Sequence, residues 1–266
     1  MKEVVLISEI SIIHEIEGLV TWLRGKATEA RARGLVVGVS GGIDSAVVAA
    51  LIYQAFPEQS LALILPCHSS QEDVDDAHLV CEAIGICKQV INLDEPQQMI
   101  LERVRAISGK IIPQEEVPQT QRLMDANLRA RLRMSTLYAV ANSLNYLVVG
   151  TDNAAEVYTG YFTKYGDGGV DLLPLSQFVK REIRVLAQAL KIPEKIINKA
   201  PSAGLWLGQT DEGEMGVTYN EIDNFLEGKP VSETARQRIA YLHQISEHKR
   251  NLPPVYPRKR STIKIK

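Results

Sequence analysis

The chain has 266 residues, 45% of them hydrophobic and 23% charged, with a formal net charge of −2. That length can bury one sizeable core, and the near-neutral balance excludes a general basic field for extended nucleic-acid binding. No apolar run approaches a membrane span, and no basic region leads into an apolar core at the amino terminus. A soluble, cytoplasmic protein without a signal peptide is therefore expected. The three cysteines, Cys67, Cys81 and Cys87, fit no zinc spacing and read as small buried hydrophobes in a reducing compartment.

Ile12, Ile13, Ile16, Leu19, Val20 and Leu23 recur at helical spacing, which predicts an amphipathic helix from Ile12 to Arg33 that Gly34 stops. Leu35 to Val39 reads as a short, wholly apolar strand. It runs through Ser40-Gly41-Gly42 and Ile43 into Asp44-Ser45, which open a helix over Ala46 to Ala55. Adjacent glycines let a backbone approach a ligand closely. The first N–H groups of the helix lack intrahelical partners and carry partial positive charge, so the turn is an anion site suited to phosphate. No Gly-Lys-Ser/Thr ends the loop, so it is not a Walker A motif. Asp44 instead suggests a Mg²⁺ ion shared with the phosphates, and Ser40 and Ser45 add hydroxyl donors.

A second strand is expected over Ser60 to Leu65, a helix over Gln71 to Gly85, and a third strand over Lys88 to Leu93. A helix from Glu95 to Ile107, a proline-marked loop, a long helix from Thr120 to Asn142 and a fourth strand from Tyr146 to Gly150 follow. Apolar strands alternating with helices indicate a parallel sheet covered on both faces. Residues 151–176, rich in Gly, Thr, Tyr and Asp, read as a long functional loop. Then come a helix from Phe178 to Leu190, a short one after Pro193, a Gly-rich loop from Ala200 to Gly216, and helical segments over Val217 to Leu226 and Glu233 to Lys249. The expectation is one doubly wound α/β domain over residues 1–258 with a flexible basic tail over 259–266. Its ligand should lie at the carboxyl ends of the strands.

Ser-Gly-Gly-Xaa-Asp-Ser after a buried strand resembles the pyrophosphate loop of the N-type ATP pyrophosphatases, on an adenine nucleotide alpha hydrolase-like fold. Such enzymes cleave ATP between the α- and β-phosphates and adenylate a substrate oxygen. Further blocks narrow the resemblance: Gly150-Thr151-Asp152-Asn153-Ala154-Ala155-Glu156, then Phe162-Thr163-Lys164-Tyr165-Gly166-Asp167-Gly168-Gly169-Val170-Asp171, then Pro174-Leu175 and Lys180. Pro201-Ser202-Ala203-Gly204-Leu205-Trp206, Gly208-Gln209-Thr210-Asp211-Glu212 and His248-Lys249 continue the order. Together, over about residues 15–258, they resemble the ammonia-dependent NAD synthetases.

The resemblance implies a homodimer that adenylates the carboxylate of deamido-NAD and lets ammonia displace AMP. It implies Asp44 and Glu156 as magnesium ligands. ATP contacts would come from Gly38, Val39, Ser40, Gly41, Gly42, Ile43, Asp44, Ser45, Thr151, Lys180 and Ser202. Arg131, Lys164, Asp171, His248 and Lys249 would bind deamido-NAD, and Asp44, Lys180 and Asp171 would serve the chemistry. Bland readings stand beside these: Lys180, Arg181 and Arg184 as a solvated helical face, His248-Lys249 as a helix-dipole pair, and Arg129 as a solubilising charge. Arg131 points about 200° away from Arg129 and Arg133 by helical geometry, and Arg133 reads as a core-edge or interface ion pair. The loop from Leu65 to Asp73 would hold the adenosine, with Cys67-His68 departing from the family's pattern. The glycine-rich loops over 163–171 and 203–216 read as lids. Rival readings are another ATP pyrophosphatase, thiolating tRNA or forming GMP, and a non-catalytic adenine-nucleotide sensor.

Overall fold

A computed structural model describes residues 9–108, 117–201 and 210–257. In chain order the elements are α1 (Glu9–Glu29), β1 (Gly34–Gly38), α2 (Ile43–Ala55), β2 (Ser60–Ile64), α3 (Gln71–Ile84), β3 (Lys88–Val90), α4 (Asp94–Ser108), α5 (Val117–Leu144) and β4 (Tyr146–Val148). Seven short to medium helices follow: α6 (Ala154–Thr159), α7 (Lys180–Ala189), α8 (Glu194–Ile197), α9 (Asp211–Met215), α10 (Tyr219–Leu226), α11 (Glu233–Ile245) and α12 (Glu247–Arg250). Among the described residues no helix is long and apolar enough to cross a membrane.

The four strands pair in parallel in the order β3-β2-β1-β4. Alternation along the strands divides the core. Leu35, Val37, Ala62 and Ile64 face a layer built from α1, α2, α3 and α7, whereas Val36, Leu61 and Leu63 face α5 through Leu132, Leu137 and Tyr138. Both faces are buried, which is why β1 and β2 read as continuous apolar runs. α2 is apolar all round because it is enclosed on every side, with Ala46 through Leu51 almost without exposure. A smaller cluster joins α6, α10 and α11 through Ala155, Tyr219, Ile222 and Ile239.

From β1 the chain winds outward through β2 to β3, then returns to place β4 on the other side of β1. In open α/β sheets such a reversal sets the ligand crevice at the carboxyl ends of the strands, here those of β1 and β4. The fold is the expected doubly wound α/β domain of the adenine nucleotide alpha hydrolase type.

Three expectations from sequence need correction. Residues 151–176 are not one irregular loop, because Asn153 caps α6 and Gly160, with φ +68°, ends it. The segment before Gly216 likewise holds α9, started by the Thr210 side chain, which accepts from the Gly213 N–H. The last helix is two, broken at Ser246, whose hydroxyl donates to the Thr159 carbonyl. A Cβ on Gly160 would lie 2.1 Å from the Ser246 Cβ, so these two turns pack backbone to side chain.

Candidate active site

The Ser40–Ser45 loop, expected to take phosphate, is shaped from within. The Ser45 hydroxyl donates to the Gly42 carbonyl at 3.0 Å and accepts from the Ser40 N–H at 3.2 Å. Gly41 has φ +81°, and a Cβ there would come within 2.7 Å of the Asp73 carbonyl and 2.8 Å of the Asp76 Cβ on α3. Lys199 and Lys195 hold that face of α3, each reaching the buried Asp76 at 2.6 and 2.5 Å. Their charges outweigh burial and keep the Asp76 carboxyl below its usual range. The loop runs from Gly38 and Val39 at the end of β1 to Gly42, which caps α2 without a side chain. Ile43 packs into the core, and the first N–H groups of α2 remain without a side-chain cap.

Lys180 stands at the centre of the crevice. It is the first residue of α7, whose amino terminus is capped by Asp223 of α10 through the Lys180 and Arg181 N–H groups at 3.0 and 2.9 Å. The lysine is 2% exposed. Its Nζ meets Asp44 Oδ2 at 2.5 Å and Glu156 Oε1 at 3.8 Å, and lies 4.7 Å from the Tyr219 ring centre. The solvated-face reading of Lys180 therefore fails, because the start of α7 turns inward while Arg181 stays at its rim, paired with Asp223 and Glu227.

Asn153 joins the two carboxylates, and Tyr219 ties Glu156 to Asp211. The Asn153 amide donates to Asp44 Oδ1 at 3.1 Å, and its backbone N–H donates to Glu156 Oε2 at 3.0 Å. The Tyr219 hydroxyl lies 3.0 Å from both Glu156 Oε1 and Asp211 Oδ2. Burial, with the charge of Asp44, raises Glu156 to about 7. Burial and the charges of Asp167, Glu156 and Asp44 lift Asp152 well above the carboxylate range. For Lys180, burial opposes the charge, but Asp44 and Glu156 prevail and hold the ammonium protonated.

The remaining expected residues lie around this cluster. Thr151 is half-buried between β4 and α6. The Asp171 carboxylate accepts from the Tyr138 hydroxyl at 3.0 Å and from the Val148 N–H at 2.8 Å, so it is held at the outer edge of β4. The exposed Arg131 reaches the Lys164 carbonyl at 3.4 Å. Lys249 donates to the Gly160 and Phe162 carbonyls, both at 2.8 Å, and Lys164 donates to those of His248 and Asn251. These residues latch α12 to the segment over 160–164. The 163–171 turn is anchored on α5, where Thr163 meets Asn127 at 2.8 Å. Ser202 and the first half of the second expected lid, 203–209, lie outside the described residues.

Two arginines correct their sequence readings. Arg129 is not a solvated charge: it pairs with Asp125 at 2.6 Å and donates to the Cys67 carbonyl at 3.3 Å. Arg133 forms no ion pair among the described residues and binds the Leu65 carbonyl and the Ser69 hydroxyl. Cys67 is fully buried, and burial pushes its thiol up, which suits a core residue. Sequence reasoning missed Asn153, Tyr219, Asp211 and Asp223. Only Asn153 had a local signal, since Asn followed three residues later by Glu is a capping-box pattern.

A phosphate loop and a buried lysine–carboxylate cluster at the switch point of a parallel sheet define a nucleotide-binding α/β domain. The NAD synthase family profile matches residues 15–253. The NH(3)-dependent NAD(+) synthetase of Alkaliphilus metalliredigens (strain QYMF) is 54% identical over 244 residues, 92% of this chain and 98% of that protein. A solved NMN synthetase from Francisella tularensis is 42% identical with a TM-score of 0.85, over 93% of this chain and 99% of that one. The solved NAD+ synthetase of Burkholderia pseudomallei is 31% identical with a TM-score of 0.74, over 91% of each chain. The chain belongs to the NAD synthase family and is an enzyme of its ammonia-dependent ligase type.

Proposed function

We propose that the protein completes NAD by amidating deamido-NAD with ammonia at the expense of ATP. The observation that carries this reading is the meeting of Asp44, Glu156 and Lys180 beside the uncapped start of α2, in a chain of this family. A carboxylate oxygen of deamido-NAD attacks the α-phosphorus of ATP, and pyrophosphate leaves. Ammonia then attacks the acyl carbon of the adenylate, and AMP leaves. The first step is needed because a bare carboxylate offers ammonia no good leaving group.

In this reading the α2 N–H groups and the loop from Gly38 to Ser45 cradle the phosphates, with Thr151 and Ser202 adding hydroxyl contacts. Lys180 turns toward the phosphates and offsets charge that develops as pyrophosphate departs. Arg131, Lys164, Asp171, His248 and Lys249 take the dinucleotide. Asp44 and Glu156 would hold a Mg²⁺ ion, and their chemistry fits it. Both are hard carboxylates gathered around one cation, and the raised Glu156 marks a site that gains from positive charge. Among the described residues no three His, Cys, Asp or Glu side chains cluster to hold a metal, so phosphate oxygens and water must complete its shell. When bound, the ion supplies charge neutralisation at the phosphates.

A second reading, amidation of the mononucleotide instead of the dinucleotide, is favoured by the likeness to the Francisella tularensis NMN synthetase. The enzyme is proposed to act as a homodimer, supported by the exposed apolar side chains Met99, Ile107 and Leu123 on α4 and α5. The decisive assay combines ATP, Mg²⁺ and ammonium with deamido-NAD or nicotinate mononucleotide, and counts products. NAD formed one-for-one with AMP and pyrophosphate is expected. Faster NMN formation would establish the second reading, and no AMP from any mixture would defeat both.

A further inference from the structure

Arg133 has more donors than the protein uses. A Cβ on Gly38, at the end of β1, would lie 3.4 Å from Leu137, so that turn of α5 is level with the end of the strand. β1 and β4 are parallel and α5 leads directly into β4, so α5 returns along the sheet against the strand direction. Arg133, one turn before Leu137, therefore stands beyond the strand ends, over the crevice.

Two walls flank it. On one side its Nε donates to the Leu65 carbonyl at 3.0 Å and its Nη2 to the Ser69 hydroxyl at 3.1 Å, in the loop after β2. On the other, the 163–169 turn packs onto α5, where Cβ atoms on Gly166 and Gly169 would meet Ala130 and Met134 at 3.0 and 3.2 Å. No carboxylate of the described residues lies within ion-pair distance of the guanidinium, while the cation of Arg129 stands nearby. Burial pushes the guanidinium below its ordinary value, and Asp167 and Asp73 oppose this only from a distance. Nη1 has no hydrogen-bond partner among the described residues. It is not sealed either, since it is not among the side-chain atoms of the described residues that are fully buried without a hydrogen-bond partner. A half-buried cation without a counter-charge is incompletely satisfied unless something anionic completes it.

We propose that Arg133 is a further substrate-binding residue, whose Nη1 edge takes an anionic oxygen of a bound nucleotide, either a phosphate oxygen or the reacting carboxylate. The inference rests on the proposed use of two nucleotide substrates. Arg133→Met, Arg133→Lys and Ser69→Ala are compared with the parent protein by calorimetric titration of Mg-ATP, deamido-NAD and NAD, and by kcat and KM. Arg133→Met should weaken one nucleotide by about 10–100-fold, as loss of a charged hydrogen bond does, and leave the other within about twofold. Arg133→Lys should recover part of the affinity, and it preserves the test if the methionine variant does not fold. Added guanidinium ion should restore part of the lost turnover. Loss confined to ATP identifies a phosphate oxygen, and loss for deamido-NAD but not for NAD identifies the carboxylate. Ser69→Ala removes one hydrogen bond of the Arg133 fork but keeps the cation, so its loss of affinity should be clearly smaller than that of Arg133→Met. Unchanged affinities in both arginine variants, or an equal loss in Ser69→Ala, would overturn the proposal and leave Arg133 as a strut. A parent protein that binds neither nucleotide would instead overturn the proposed function, and this inference with it.

Discussion

The crevice at β1 and β4 and the latch at α12 both gather lysines that the sequence marks for ligands, but they engage them differently. In the crevice Lys180 is enclosed and faces carboxylates, Asp44 at 2.5 Å and Glu156 at 3.8 Å. At the latch Lys249 and Lys164 are less buried and donate to backbone carbonyls of Gly160, Phe162, His248 and Asn251. The first arrangement holds charges whose balance a polyanion or a cation must change. The second mainly joins two segments of chain, and its cations reach a ligand only by exchanging those carbonyls for it. Neighbouring motif residues can thus belong to a charge-balanced centre or to a neutral fastening.

Removing the central cation should produce the largest effect. Lys180→Met leaves Asp44 and Glu156 facing each other in a buried site. Turnover should fall by roughly 10²–10³-fold, and the ligand-free protein should lose about 3–5 kcal/mol, read by steady-state assay and urea melts. Unchanged stability would mean that the cluster is less tightly coupled than its distances suggest.

Glu156 sharpens the comparison through pH. Its carboxyl titrates at about 7 in the fold against an ordinary value of 4.5. The folded state therefore binds more protons across that interval, and the contribution of Glu156 to stability is fully present below it and lost as pH rises through about 7. The span corresponds to about 3 kcal/mol. Metal-free urea melts between about pH 5 and 8 should show this decline in the parent protein and a flatter profile in Glu156→Gln. A profile equally steep in both would assign the decline to other groups.

Gly41→Ala tests the loop beneath the crevice. At φ +81°, with the Asp73 carbonyl 2.7 Å from the added carbon, the loop must shift away from α3. A stability loss of about 1–3 kcal/mol is expected, together with a raised KM for ATP. Parent-like values for both would show that the loop tolerates another path. The smallest effect belongs to the latch. Lys249→Met should cost about 1–2 kcal/mol and raise KM for deamido-NAD while leaving that for ATP alone. An equal rise in both would tie the latch to the crevice.

Much of this was legible before the fold. The strand into Ser40-Gly41-Gly42 and the helix after Asp44 carry local signals, because glycine freedom and an uncapped helix start act over a few residues. Asn153 and Glu156 form a readable capping box, although only the fold shows that Asn153 also donates to Asp44. Tyr219, Asp211 and Asp223 had no such signal. Tyr219 reaches Glu156 across 63 positions, and Asp223 caps Lys180 across 43. Arg129 and Arg133 looked like ordinary helix charges because their partners, the Cys67 and Leu65 carbonyls, lie more than sixty positions away.

By itself, then, the sequence determined the alternation of apolar strands and helices, the Ser-Gly-Gly turn that opens α2 and the ordered blocks that mark the family. Each depends on neighbours along the chain, where backbone geometry and side-chain periodicity act directly. Tertiary structure alone decided that Lys180 is buried between Asp44 and Glu156, that Lys249 fastens α12, and that Arg133 keeps an unbonded edge over the crevice. Burial and charge pairing are properties of three-dimensional neighbours, and the switch in strand order brings those neighbours together from distant parts of the chain.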